Sequence, residues 1–266
     1  MKRSRTAIPA LDVLHTPDSP QAVVLLLHGG RADSLAPPTR LNLPGRRMNP
    51  FARALRCQLP GDVVLIARVR YRYRGWNRPA AHPVQDARRA LEELTDLVPG
   101  LPVALVGHSM GGRAAMAAAG HPAVRGVVAL APWCPPGEPV AHLAGRSLVI
   151  LHDERDTVTS AAQSWDLARR AATADARVGT VAMPRGGHAM LRDVRSWHRL
   201  TVDAVAAVLT GAPLVLASAT PVSPHRRAPY WQDQPGMRHR PAAQEHPAAG
   251  GGFGPTIRGT DSTPPR

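Results

Sequence analysis

The chain reads as an α/β fold, a mostly parallel central sheet with helices on both faces, on three observations. Short apolar runs recur from residue 22 onward, as strands buried on both sides of a sheet require. Segments with helical periodicity and recognisable ends alternate with them, which is the pattern of a parallel α/β sheet. The third observation is one junction, PVALVGHSMGGRAAM at residues 102–116, where an apolar run passes through a serine set between glycines into a small-residue helix.

The elements follow in order. Residues 22–27, AVVLLL, form a strand that ends in His28-Gly29-Gly30. Residues 49–58 are helical, with Asn49 as N-cap and Pro50 in the first turn, and residues 62–69 make the next strand. Residues 86–97 are an amphipathic helix: Ala87, Ala90, Leu91, Leu94 and Val98 share one stripe, and Arg88, Arg89, Glu92 and Glu93 lie opposite. Residues 103–106 are the strand before the serine, and 112–119 the helix after it, closed by Gly120 and Pro122. Strands at 127–133 and 147–152 are joined by a short proline-rich segment with no room for a lid domain. A helix at 160–174, a strand at 179–183 and a helix at 191–209, stopped by Gly211, complete the series. The folded domain is therefore expected over 1–211. Residues 212–266, with many prolines and a Gly250-Gly251-Gly252 run, have no sustained apolar periodicity and read as a disordered tail, with Tyr230-Trp231 an incidental pair.

At 266 residues and 44% hydrophobic content the chain can bury a real core, and 4% aromatic residues make that core aliphatic. The net charge of +14 invites a nucleic-acid reading. Lys2 is the sole lysine, however, and an arginine skew accompanied by abundant Ala, Pro and Gly fits coding bias better; no basic helix or aromatic-basic RNA motif appears. Nucleic acid is not expected as a partner. Cys57 and Cys134 match no metal or redox spacing and read as buried or incidental thiols, so no metal site is expected. The basic start, Met1-Lys2-Arg3-Ser4-Arg5, is followed by a stretch broken by Pro9, Pro17 and Pro20 and carrying Asp12 and Asp18, and the run at 22–27 is too short for a signal core or a membrane span. The expectation is a soluble, cytoplasmic protein with no membrane association.

The chemistry centres on Gly107-His108-Ser109-Met110-Gly111, which reads GxSxG. A sharp strand-to-helix turn pushes the serine backbone into a sparsely allowed region and crowds the neighbouring chain, so the flanking positions must lack a Cβ. Serine attacks poorly unless a base takes its proton, so a histidine, an acid to orient it and amides for an oxyanion are required. Asp156, in LVILHDERDTVTS after one late strand, and His188, in VAMPRGGHAML after the last, both fall at carboxyl ends of parallel strands, where open α/β sheets place their sites.

With these motifs in that order, residues 22–210 resemble an α/β-hydrolase domain of the small, lidless esterase and dienelactone-hydrolase-like kind. The resemblance implies Ser109 as nucleophile, His188 as general base and then acid, and Asp156 as its orienting partner. It implies the backbone amides of Met110 and Gly30 as the oxyanion hole, with Arg31 as the alternative to Gly30. The activity implied is cleavage of an ester or related acyl bond of a small soluble substrate through an acyl-serine, without cofactor; an acyltransferase and a non-catalytic basic binding protein are the other readings. One position departs from the family: Asp153 stands where relatives usually have glycine, so Asp153 and Glu154 compete with Asp156 as the acid. His108, His121, His142, His152 and His198 read as surface or packing residues. Arg68, Arg70, Arg72 and Arg74 in RVRYRYRGWNRP either hold an anionic substrate or solvate a loop and pair with acids such as Asp86.

Overall fold

The computed structural model describes residues 9–39, 42–214 and 219–221. Its strands are β1 (Leu11–His15), β2 (Ala22–Leu27), β3 (Val64–Val69), β4 (Val103–His108), β5 (Val124–Leu130), β6 (Ser147–Asp153), β7 (Arg177–Met183) and β8 (Ala219–Pro221). The helices are α1 (Leu43–Arg47), α2 (Asn49–Gln58), α3 (His82–Leu97), α4 (Met110–Ala118), α5 (Ala161–Thr173) and α6 (Val194–Thr210). The strands form one sheet in the order β1-β3-β2-β4-β5-β6-β7-β8. From β3 to β7 every neighbouring pair is parallel, and the two edges, β1 against β3 and β8 against β7, are antiparallel.

The continuous apolar runs are explained by the two layers they touch. Val23, Leu25 and Leu27 of β2 face a core shared with α3, α4 and α5, whereas Val24 and Leu26 face one shared with α2 and α6. The same alternation holds in β6, with Leu148 and Ile150 on the first side and Val149 and Leu151 on the second. Among the described residues no helix is long and apolar enough to cross a membrane.

Several boundaries differ from expectation for local reasons. β1 lies in the proline-broken segment before residue 22: it is a short edge strand that carries Asp12 directly opposite Arg68 of β3, and that cross-strand ion pair replaces the apolar pattern. The N-cap of α2 is Met48 and not Asn49, because α1 runs into α2 through that residue. α3 starts at His82, ahead of the apolar stripe, with Pro83 tolerated in the first turn. β5 ends at Leu130, where Ala131 turns the chain at φ 42°. Gly211 ends α6 in the left-handed conformation at φ 71°, as expected. The sheet nevertheless takes one more strand beyond it, since β8 pairs with Gly179, Thr180 and Val181 of β7. Most of the expected tail over 212–266, Tyr230-Trp231 included, lies outside the described residues.

Candidate active site

The β4–α4 junction puts Ser109 at φ 55° and ψ −120°, a left-handed conformation that costs a non-glycine residue about 1–3 kcal/mol. The flanking glycines are steric necessities. A Cβ on Gly107 would stand 2.3 Å from the Gly111 carbonyl oxygen, and one on Gly111 would stand 2.3 Å from the Leu27 oxygen of β2. Backbone blocks both positions, so neither can relax by a rotamer change. Ser109 itself is 8% exposed.

Two loops from the same sheet edge meet this serine. After β7, the 184–193 loop brings His188 Nε2 to 2.9 Å from Ser109 Oγ. After β6, the 154–160 loop brings Asp156 Oδ2 to 2.9 Å from His188 Nδ1. An ionised carboxylate only accepts, so His188 carries its proton on Nδ1 and offers the Nε2 lone pair to the serine hydroxyl.

Asp156 is unusually well held. Oδ1 accepts the backbone N–H of Val158 at 2.7 Å and of Thr159 at 3.2 Å. Oδ2 accepts the Thr159 hydroxyl at 2.9 Å and His152 Nε2 at 3.2 Å in addition to His188. Burial pushes its pKa up, but the hydrogen bonds from Val158, His188 and Thr159 outweigh it and hold the carboxyl below the ordinary range. Of the three carboxylates at the end of β6 and in this loop, Asp156 alone bonds the His188 ring among the described residues. Glu154 is exposed, and Asp153 Oδ1 and Oδ2 accept the N–H groups of Arg155, at 2.9 Å, and Gly187, at 2.7 Å.

Two histidines expected to be surface or packing residues stand against this chain of groups. His152 is buried, its Nδ1 2.9 Å from Ser164 Oγ and its Nε2 on Asp156; burial lowers its pKa against the pull of Asp156, so it serves as a neutral donor to the acid. His108 is buried too, with its pKa pushed down to about 3 mainly by burial, and its Nε2–H donates to the His188 carbonyl oxygen at 2.8 Å. The available signal was position: each is the polar end of an otherwise apolar strand next to a candidate group. His121, His142 and His198 do pack away from the site, on Ala123, the Met116 carbonyl and Phe51 respectively.

The loop after β2 closes the other side. A Cβ on Gly29 would stand 3.3 Å from the Ser109 Cβ, so His28-Gly29-Gly30 runs directly beside the serine. Neutral His28, its pKa lowered to about 4 by burial, donates Nδ1–H to the Gly29 carbonyl at 2.7 Å and fixes that turn. Met110 opens α4, where the first-turn N–H groups have no intrahelical acceptor. Arg31 differs from Gly30 in one respect: its N–H already donates to the Arg74 carbonyl at 2.9 Å.

The arginine-rich strand end divides as follows. Arg68 bonds Asp12, Arg70 stands 3.7 Å from the same carboxylate, and Arg72 pairs with buried Asp86 at 2.5 Å. Arg74 lends backbone N–H and C=O groups to Ala36 and Arg31. One turn beyond Ser109, Arg113 sits in the corner formed by the rings of Trp76, at 3.8 Å, and Trp133, at 4.4 Å, and pairs with Glu138, a buried cation that no sequence pattern announced.

Residues 71–149 match the family model described as serine aminopeptidase, S33. No curated protein matches the chain by sequence. Among solved structures, a protein of unknown function from Agrobacterium tumefaciens shares 18% identity with a TM-score of 0.59, over 76% of this chain and 92% of that one. An alpha/beta serine hydrolase without lid from Xanthomonas campestris shares 16% with a TM-score of 0.53, over 75% and 88%. A dienelactone hydrolase from Anabaena variabilis shares 18% with a TM-score of 0.54, over 73% and 89%.

Proposed function

From the α/β-hydrolase fold of this chain, we propose that it is a serine hydrolase that cleaves an ester or related acyl bond through an acyl-serine intermediate. One observation carries the reading: Ser109, His188 and Asp156 stand in hydrogen-bonded order, at 2.9 Å and 2.9 Å, with the serine on a strained turn. His188 Nε2 takes the hydroxyl proton as Ser109 Oγ attacks the acyl carbonyl, and Asp156 stabilises the imidazolium that results. The N–H groups of Met110 and Gly30 receive the oxyanion; Arg31 is set aside because its N–H is committed to Arg74. His188 then gives its proton to the departing alkoxide, and water attacks the acyl-serine by the same steps in reverse order of roles.

The substrate proposed is small, with an apolar acyl group. Leu35, Val158 and Leu191 are each about two-thirds exposed and lie on loops that leave the sheet edge at Ser109, and Leu43, equally exposed, opens α1. Fluorophosphonate should label the wild-type serine. Ser109→Ala should abolish labelling and lower turnover on the order of 10⁴-fold or more while keeping the melting temperature. A chromogenic ester panel of graded acyl length should favour chains longer than acetate. A serine inert to the label, or turnover retained in Ser109→Ala, overturns the proposal.

A further inference from the structure

We infer that Asp153 is a positioning residue, a brace that holds the His188 loop in register with Asp156. The inference rests on the hydrolase reading for its consequence in turnover, but not for its geometry. Asp153 is the last residue of β6 and is 4% exposed. Its backbone oxygen accepts the Asp156 N–H at 2.9 Å, its Oδ1 accepts the Arg155 N–H, and its Oδ2 accepts the Gly187 N–H at 2.7 Å. One side chain thus ties the backbone of the acid loop to the N–H of Gly187, the residue before His188. It pairs with no cationic side chain among the described residues; its carboxylate accepts from two backbone N–H groups.

The His188 loop needs such a tie. Gly186 and Gly187, at φ 144° and φ 56°, give the backbone ahead of His188 wide conformational freedom. From outside the acid loop three other side chains pin the loop, and all of them bind carbonyls: Trp197 Nε1 at Arg185, His108 Nε2 at His188 and Arg47 at Ala189. They come from α6, β4 and α1, so none refers the loop to the acid. From the acid's side, Asp156 Oδ2 and Thr159 Oγ1 hold the His188 ring at 2.9 Å and 3.1 Å, and Asp153 is the contact that ties the loop's backbone, because β6 and β7 are adjacent and Asp153 stands opposite Met183, where the loop begins. The bond is charge-assisted, and therefore shorter and stronger than an amide acceptor would supply. This gives a physical role to the aspartate at a position where glycine was expected.

The test compares Asp153→Ala, Asp153→Ser and Asp153→Asn by kinetics and by proton NMR of the His188 Nδ1–H that bonds Asp156. Asp153→Ala should lower kcat about 10- to 100-fold, the cost of misplacing a reacting group by up to about 1 Å, with KM little changed. The Nδ1–H resonance should broaden or move upfield. Asp153→Ser, polar but too short to reach Gly187, should behave the same and serves if the alanine variant does not fold. Asp153→Asn keeps one oxygen at the right reach and should restore most of kcat. If both short variants lose only melting temperature, with kcat and the Nδ1–H resonance as in wild type, the brace is wrong. If Asp153→Asn is as inactive as Ser109→Ala while Asp156→Asn is active, Asp153 is the acid and the brace is again wrong. If the resonance responds as expected but no acyl compound is turned over by the wild type, the brace stands and the hydrolase proposal fails.

Discussion

Replacing Asp156 by asparagine tests the acid assignment through the tautomer of His188. The direction of the asparagine amide is set by the structure. The Oδ1 position faces the N–H groups of Val158 and Thr159, at 2.7 Å and 3.2 Å, so the amide oxygen must stay there. The NH₂ then occupies the Oδ2 position, 2.9 Å from His188 Nδ1 and 3.2 Å from His152 Nε2. Two donors now confront two donors. His188 relieves the clash by moving its proton to Nε2, where it points at Ser109 Oγ and can no longer accept the hydroxyl proton. The expected loss is about 10⁴-fold in kcat/KM, or about 5.4 kcal/mol at 1.36 kcal/mol per decade. Stability should fall by only about 1–3 kcal/mol, since the backbone-facing oxygen keeps its bonds. The assay is hydrolysis of a p-nitrophenyl ester, with circular dichroism to confirm the fold. Turnover within tenfold of wild type would refute the reasoning, because the one arrangement of the amide that leaves His188 the correct tautomer turns its NH₂ onto the N–H groups of Val158 and Thr159.

Two further outcomes follow from buried charge. His28 and His108 are neutral in the fold, with pKa values lowered to about 4 and about 3 against about 6.5 in the unfolded chain, and His152 and His198 are lowered in the same direction. The unfolded state therefore takes up protons that the fold refuses, so stability is complete above pH ~6.5 and declines below it, by up to about 1.4 kcal/mol per pH unit for each of His28 and His108. Urea unfolding between pH 7 and 5, where carboxylates stay ionised in both states, reads this directly; a flat profile would show that these rings take up protons in the fold as readily as in the unfolded chain. Arg113→Met leaves the Glu138 carboxylate without its cation and takes the cation off the Trp76 and Trp133 rings, and should cost about 3–5 kcal/mol, with a shift in tryptophan emission. A loss under about 1 kcal/mol would place the Arg113–Glu138 pair among those that contribute little.

Local chemistry made the fold and the serine legible in the sequence. A strand buried on both faces has no polar alternative, so runs such as residues 22–27 and 103–106 could be recognised without knowing their partners. Gly107 and Gly111 are dictated by backbone clashes within the junction and against β2, which makes GxSxG a mark of that turn wherever strand and helix flank it. Sequence order also placed Asp156 and His188 at the right edge of the sheet, since a parallel strand delivers the residue after it to a known side. Only the tertiary structure decided among neighbours. Asp153, at the end of β6, and Asp156, in the loop after it, lie three positions apart, and composition cannot say which carboxylate turns toward a ring 32 residues away from Asp156. β1 escaped notice because its stability comes from a pairing of Asp12 with Arg68, and His108, His152 and Arg113 took their roles from partners distant in sequence. The physical reason is the same in each case. Burial and backbone sterics act on a residue through its immediate neighbours, whereas a directional hydrogen bond needs the position of both partners, and only the packed sheet supplies the second.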